Sequence, residues 1–561
     1  MNERFMKENK KSGEVHRLKE RERNLIIEAL EEITKGKEIS AICAYGSRIA
    51  GYAREDSDYD VIVALKNYKP KVRYSYIRKG IDLASLIVDS KSLIKDAEVA
   101  SLGEFVAGRL LNVYEALLGG EYVKDVESKL KRRVTFEILD EVALAYSDLS
   151  TEFIIPIRYL LFEKLKKRAS LYPVALYSYV KTYTGALGKE NLSVTLRGFT
   201  TPLREMESHG WISLLDEESL RIKDEYFKLR KTGKIKAALS YTKRGVLSYA
   251  VHGYAGRVGL SVIKREVLSK IGRSKEISDV PEEMEQPKNL WRIDEGLLIV
   301  NGDDWLWQVV SYLNLSKNTK ITQVSQEELY ETLKVYMLED GDKKITIAVK
   351  NFKNIKSLKW AFLNLWALPT KWFEMSPLTR LGRECVAIKK LREIGLNTPK
   401  IISIILNKRV LVTSFIEGIN LGKIIKGILD GHDVDKSPIS MYGESIGYAH
   451  KHGYSLGDTK PSNAVISDGK VFLTDLEQAS EHGDRAWDIA LFIYYSNKLT
   501  LNVSGARTIT REFLKGYLKM GSVDIVKEAL NPDYLAPFQA ILAPNVMKAI
   551  RDEMRKAIAS S

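Results

Sequence analysis

The sequence predicts a multidomain α/β and α+β protein: a mixed sheet near the N-terminus, a helical middle, and a second half that runs from strands into helices. Three observations carry this. The chain has 561 residues, more than one hydrophobic core usually organises, so about three or four domains are expected. Apolar, β-branched runs alternate with amphipathic stretches in the first 125 residues and again between about residues 289 and 415, with helical periodicity dominating afterwards. Between them, residues 272–288 are polar, acidic and contain Pro281 and Pro287, which reads as a linker and puts the major boundary near residue 285.

Taken in order, residues 1–23 form a charged tail without an apolar core, so no secretory signal is expected there. Residues 25–33 read as an amphipathic helix and 39–45, 57–65 and 81–88 as strands, within a domain spanning 24–125. A helical segment follows over 126–170. Residues 173–183 then predict a helix, a Gly-containing turn leads to a single helix over 190–208, and His209-Gly210-Trp211-Ile212 opens a short hairpin ending near Ile222. Helix, turn, helix and two short strands is the order of a winged helix-turn-helix, placed at 171–230. A basic helical segment and the linker fill 231–288. The second half divides into a strand-rich lobe at 289–415 and a helical lobe at 416–561.

Apolar residues make up 45% and charged residues 29% of the chain, a globular balance. The formal charge of +14 points to a polyanionic partner such as nucleic acid, the alternative being a surface rich in lysine. The basic runs 129–133 and 164–168 read as solvated helix faces more than as binding patches. Heavy use of Lys, Glu and Ile with little Gln and Cys resembles thermophile composition. Two cysteines, Cys43 and Cys385, allow neither a disulfide framework nor a cysteine zinc site and fit a reducing cytoplasm. The apolar runs are too short to span a bilayer, so no membrane is expected.

The first chemical constellation is Tyr45-Gly46-Ser47-Arg48 followed by Ser57-Asp58-Tyr59-Asp60 and an apolar strand. Nucleotidyl transfer needs divalent metals on a triphosphate, held by carboxylates, and a tight turn whose backbone N–H groups approach phosphate. Aspartates at i and i+2 on a strand share one side, so Asp58 and Asp60 can share metals, and Gly46-Ser47 offers a phosphate-binding helix start. This spacing resembles the minimal nucleotidyltransferases of the DNA polymerase-β superfamily. The resemblance implies a third carboxylate on a neighbouring strand, for which Asp82 is the candidate and Asp89 the rival.

The second constellation runs over more than a hundred residues. Phosphoryl transfer demands a lysine on the ATP phosphates, an acid to orient it, a base for the attacking hydroxyl and metal ligands. Lys350 ends an apolar strand, Glu384 sits in an amphipathic helix, and Gly457-Asp458-Thr459-Lys460-Pro461-Ser462-Asn463 precedes a strand and Asp475-Leu476-Glu477. Asp458, Asn463 five residues on, and Asp475 twelve beyond resemble the protein-kinase catalytic loop and its metal-binding aspartate. The small atypical kinases, the RIO group and the KEOPS-associated kinase, are the nearest in pattern, and the whole resembles an archaeal-type fusion with a bilobal protein-kinase-like C-terminal half.

That resemblance implies Asp458 as base, Asn463 and Asp475 as ligands of Mg²⁺ (or Mn²⁺), Lys460 near the γ-phosphate, and ATP as cofactor, with Glu417 in the hinge that adenine lies against. Asp488 is read as a brace of the catalytic loop. Two departures matter. No Gly-x-Gly-x-x-Gly precedes Lys350, so phosphate cover must come from elsewhere, with residues 316–326 as candidate. No recognisable activation segment follows Asp475-Leu476-Glu477, which argues against ordinary peptide docking.

The expected activity is therefore transfer of the ATP γ-phosphate to a hydroxyl of a protein or an RNA. Nucleic acid is expected to meet the winged helix and the basic stretch after it. One alternative is metal-dependent nucleotidyl transfer to RNA or protein, regulated by the kinase part. Another is a nucleic-acid-binding regulator built from non-catalytic enzyme folds.

Overall fold

The computed structural model describes residues 12–69, 72–78, 80–172, 175–230, 280–324, 333–353 and 376–560. It divides into two units: residues 1–145 with 153–292, and residues 146–152 with 293–561.

In the first unit, helix α1 (Glu20–Thr34) precedes β1 (Ile39–Tyr45), the single turn α2 (Ser47–Ala50), β2 (Tyr59–Leu65), β3 (Val72–Arg78), β4 (Asp82–Asp89), α3 (Ser90–Val99), β5 (Glu115–Leu118) and α4 (Gly120–Tyr146). The strands form one mixed sheet in the order β3-β4-β2-β1-β5, with β2 and β4 parallel. Both faces are covered, which explains the unbroken apolar runs. Val61, Val63 and Leu65 share a core with Ile26 and Leu30. Cys43, Ile62 and Ala64 turn the other way, towards Leu93, Val123 and Val126.

The helical middle holds β6 (Ile155–Pro156), α5 (Ile157–Leu171), α6 (Ala175–Thr184), α7 (Gly188–Arg197), α8 (Thr200–Ser208), β7 (Ile212–Leu214) and β8 (Ser219–Ile222), its strands ordered β6-β8-β7. The single helix expected over 190–208 is two helices, broken at Gly198-Phe199. A Cβ at Gly198 would stand 2.2 Å from Glu127 Oε1, and Pro202 fits only the first turn of a helix.

The two basic runs are not simply solvated faces, since Lys131, Arg133, Lys164 and Arg168 are buried. Lys131 is buried, donating to Glu127 Oε1 at 2.7 Å and Thr195 O at 2.6 Å. Glu104 receives Arg133 and Lys164, each at 2.5 Å, and Arg168 at 3.1 Å. Burial opposes ionisation of Glu104, but these cations prevail and hold its carboxyl well below the usual range.

Of the predicted linker, the described part is packed: Met284 and Pro287 are buried, and nearby Trp291 stacks on Phe153 at 4.9 Å. The basic residues 231–244 lie outside the described residues.

In the second unit, β9 (Leu297–Ile299), α9 (Trp305–Tyr312), β10 (Lys320–Gln323), β11 (Leu333–Asp340), β12 (Lys343–Asn351), α10 (Pro377–Glu393), β13 (Ile401–Ile405) and β14 (Val410–Ser414) build a sheet ordered β10-β11-β12-β14-β13-β9. Residues 146–152 pack on α10. A Cβ at Gly382 would meet Leu149 N at 2.7 Å, Asp148 lies 3.7 Å from Arg383, and Glu152 pairs with Lys389.

After β14 come β15 (Ile419–Asn420), α11 (Leu421–Leu429), α12 (Ser437–Lys451), β16 (Tyr454–Ser455), β17 (Ala464–Ser467), β18 (Lys470–Leu473), β19 (Ser480–Glu481), α13 (Arg485–Ser496), α14 (Val503–Tyr517) and α15 (Pro544–Ala559), among shorter turns of helix. Among the described residues no helix is long and apolar enough to cross a membrane.

Candidate active sites

In the second unit, β12 lies between β11 and β14 and delivers Lys350 near its end. Helix α10 starts with Pro377 in its first turn and buries Leu381, Cys385 and Ile388, so Arg380 and Glu384, one turn apart, share that inner face. Lys350 Nζ meets Glu384 Oε2 at 2.6 Å and Glu477 Oε2 at 3.0 Å, and also pairs with Asp475. Arg380 grips Glu477 with Nη2 at 2.8 Å from each carboxylate oxygen and Nε at 3.0 Å.

Burial alone would lower the Lys350 ammonium, but Asp475, Glu384 and Glu477 together push it well above its ordinary value. Glu384 is pushed up to about 7 by burial, with Asp475 and Glu477 adding to the shift and Lys350 opposing it. Three carboxylates therefore share two cations, Lys350 and Arg380. Glu384, Asp475 and Glu477 bring oxygens within 4.8 Å of one another. Asp475, with a side chain 43% exposed, is the member reachable from outside. Its backbone is left-handed, φ 55°, a conformation that costs a non-glycine residue and recurs at functional sites.

The catalytic-loop residues are held from behind. Asp488 accepts from Leu456 N and Gly457 N at 2.7 Å each and lies 3.0 Å from His450 Nε2. His450 Nδ1 reaches the Tyr517 hydroxyl at 2.9 Å, and Trp487 Nε1 donates to Gly457 O at 3.1 Å. Gly457 has φ 74°, and a Cβ there would stand 2.4 Å from Gln478 O, so both conformation and space require glycine.

In front of this brace Asn463 Nδ2 donates to Asp458 O at 2.8 Å and Lys460 Nζ to Asp458 Oδ2 at 3.0 Å. Asp458 Oδ1 is buried without a hydrogen-bond partner among the described residues. Burial raises the Asp458 carboxyl, with Asp475 adding and Lys460 opposing. An oxygen left free on a carboxylate of raised basicity can accept a proton. The clustered oxygens of Glu384, Asp475 and Glu477 are of the kind that suits a hard divalent cation. Glu417 lies apart from these ion pairs, exposed in the connection between β14 and β15. In the stretch 316–326, Ser316 binds Asp340 and residues 320–323 form edge strand β10. Residues 325 and 326 lie outside the described residues.

In the first unit, β1 ends at Tyr45 and turns at Gly46, φ 83°. Asp60 Oδ2 lies 2.2 Å from where a Cβ on Gly46 would be, so this carboxylate rests directly on the glycine. Ser47 opens α2, which is only one turn long. The expected helix dipole is therefore small, and the turn's backbone N–H groups are what remains for a phosphate.

Parallel pairing sets Tyr59 beside Leu83 and Asp60 beside Ala84. Continued by one residue, this register aligns Asp82 with Asp58 on the face of Asp60. Tyr76, opposite Ala84, is raised first by burial and then by both Asp58 and Asp82. Asp82 pairs loosely with Arg78 at 3.7 Å. Its rival Asp89 stands at the other end of β4, beside Leu65, and caps α3, accepting from Ser92 N at 3.0 Å and Tyr68 N at 3.1 Å.

Two groups of residues were not read from the sequence. Arg380 and Glu477 lie 97 positions apart, and their only signal was an acid two residues after Asp475. Arg109 has its guanidinium 5.7 Å from the Tyr45 ring centroid. Burial would lower it, but Tyr45, Tyr74, Tyr179 and Asp60 push it above its ordinary value.

Residues 28–102 match the family model described as polymerase beta, nucleotidyltransferase. Over 151 residues, 27% of this chain and 67% of the relative, the chain is 24% identical to the KEOPS complex subunit Bud32 of Pyrococcus abyssi. Among solved structures it is similar to WaaP in complex with acyl carrier protein, with 14% identity and a TM-score of 0.27, covering 45% of this chain and 98% of that one. It is also similar to the bifunctional kinase-methyltransferase WbdD, with 14% identity and a TM-score of 0.23, covering 35% of this chain and 47% of that one. The chain joins a polymerase-β-type nucleotidyltransferase domain at its N-terminus to a domain related to an atypical kinase.

Proposed function

We propose that the second unit transfers the γ-phosphate of ATP to a hydroxyl. The observation that carries this is the Lys350–Glu384 pair at 2.6 Å standing with Asp475 in one cluster, beside a catalytic loop whose Asp458 keeps one buried oxygen free. Lys350, oriented by Glu384, draws on the ATP phosphates. Asn463 and Asp475 would hold Mg²⁺ or Mn²⁺, which when bound neutralises phosphate charge. Asp458 takes the acceptor proton as the hydroxyl oxygen bonds to the γ-phosphorus and ADP departs. Lys460 holds Asp458 in place and reaches towards the moving phosphate, and the connection carrying Glu417 lines the adenine side.

The acceptor is a protein or RNA hydroxyl, and residues 171–230 act as a winged helix that meets nucleic acid. Incubation of the full chain with γ-labelled ATP, Mg²⁺ and candidate acceptors tests the reading. Absence of label in every product, with the chain folded, would sink it.

A second reading is favoured by the contact between Asp60 and Gly46. Asp58, Asp60 and Asp82 would hold metals for nucleotidyl transfer, with Gly46 and Ser47 towards the triphosphate. Incorporation from α-labelled ATP separates it from the first.

A further inference from the structure

The reading above leaves open what carries the acceptor hydroxyl, and three features of the second unit bear on it. Tyr495, in the last turn of α13, carries two ammonium groups: Lys460 Nζ lies 5.7 Å and Lys498 Nζ 3.9 Å from the ring centroid. Lys460 gives one of its three N–H donors to Asp458, and Lys498 is exposed and makes no ion pair among the described residues. Two like charges sharing a ring repel, and an anion between them relieves that repulsion.

Next to Lys498, Leu499 has a left-handed backbone, φ 57°, which a bulky side chain enters only under constraint. The constraint is a hydrogen bond from Leu499 N to Ile541 O at 2.8 Å. The leucine side chain is 80% exposed, and that of Leu501 78%. The left-handed backbone thus presents an exposed apolar side chain directly beside Lys498.

Finally, the stretch between Asp475 and α13 is short. Its strand Ser480–Glu481 is two residues long and pairs on one side with Tyr454–Ser455, so it offers a peptide strand very little edge.

Resting on the phosphotransfer reading, we infer that the acceptor is a nucleotide unit, either free or at the end of a nucleic acid. Its phosphate lies between Lys460 and Lys498 over Tyr495, and its base covers Leu499. The sugar hydroxyl gives its proton to Asp458, and its oxygen forms the new bond to the γ-phosphorus. The bond from that phosphorus to the β–γ bridging oxygen breaks, and the electron pair leaves with ADP.

The test compares full-length wild type, Lys498→Glu and Lys498→Arg, with melting temperature as the folding check. Each is titrated with uridine monophosphate and with a fluorescent oligoribonucleotide ending in hydroxyls, then assayed for γ-label transfer to both and to a serine-containing peptide. Lys498→Glu is expected to weaken nucleotide binding about tenfold and to raise acceptor KM about tenfold with kcat within about threefold, and Lys498→Arg to restore both. Transfer to the oligonucleotide alone assigns a nucleic-acid end, and transfer to both probes assigns a free nucleotide. Equal binding by wild type and Lys498→Glu overturns the inference, as does transfer to the peptide and neither nucleotide. Should no label move at all, the phosphotransfer reading fails, and the binding titration still decides the subsite.

Discussion

Arg380 holds Glu477 through both carboxylate oxygens, at 2.8 Å each. The pair ties the helix that carries Glu384 to the loop that carries Asp475. Because Glu477 also reaches Lys350 at 3.0 Å, one carboxylate couples two cations drawn from different elements.

Arg380→Ala leaves Glu477 buried with half its compensation, which costs about 3–5 kcal/mol when a buried pair is broken. Melting should fall by roughly 10 °C. The double variant Arg380→Met/Glu477→Leu should regain most of that stability while phosphate transfer stays depressed, because Lys350 has lost a partner that orients it. An Arg380→Ala protein melting within a degree of wild type would show that the pair contributes nothing.

Asp475→Ala should abolish γ-phosphate transfer, and Asp458→Asn should lower it by about two to four decades, with both proteins still folded. Undiminished autophosphorylation in either purified variant would remove the assignment.

The acid limb of the rate profile should report Asp458. Burial raises its carboxyl and Lys460 opposes that rise, so Lys460→Met removes the opposing charge. The Asp458 pKa then climbs further and the acid limb of kcat/KM moves to higher pH. A limb that stays in place or moves to lower pH contradicts Asp458 as the titrating base.

At the first-unit site, Gly46→Ala would put a methyl group 2.2 Å from Asp60 Oδ2 at a left-handed backbone position. Loss of metal-dependent nucleotide binding and of α-label incorporation is expected, as it is for Asp58→Ala/Asp60→Ala. Retention of both by Gly46→Ala would mean that Asp60 does no metal work against that glycine.

Arg197 and Arg204 are exposed on α7 and α8. If both meet phosphates of a nucleic acid, replacing them with alanine should flatten the log–log salt dependence of binding by about 2. Identical slopes would assign this module to protein contacts.

What could be read from the sequence was whatever is ordered along the chain. Lys350, Glu384, Asp458, Asn463 and Asp475 announce themselves by type and spacing, and the structure gathers Lys350, Glu384 and Asp475 into one cluster, with Asn463 bonded to the Asp458 backbone. Arg380 and Glu477 could not be paired beforehand, because their meeting depends on how α10 lies over the metal loop.

The basic runs misled for a related reason. Glu127 stands one turn before Lys131 on the same helix, but only the fold buries that pair and brings Glu104 to Arg133 in the interior. The break at Gly198 was hidden because a glycine inside a helical pattern signals a stop only when something crowds its missing side chain. Here that neighbour is Glu127, seventy-one positions earlier.

The docking of residues 146–152 on α10 bears on how this polypeptide is made. The segment leaves the ribosome with the first unit, yet its partner helix follows only after about 220 more residues, on the order of ten seconds or longer at usual elongation rates. Until then Leu149 has no Gly382 to lie against, and a nascent chain halted before residue 377 exposes an unmated patch that chaperones can bind. A fragment beginning at residue 293 likewise lacks the segment that covers α10. Expression of residues 293–561 without residues 146–152 is therefore expected to yield an aggregation-prone product.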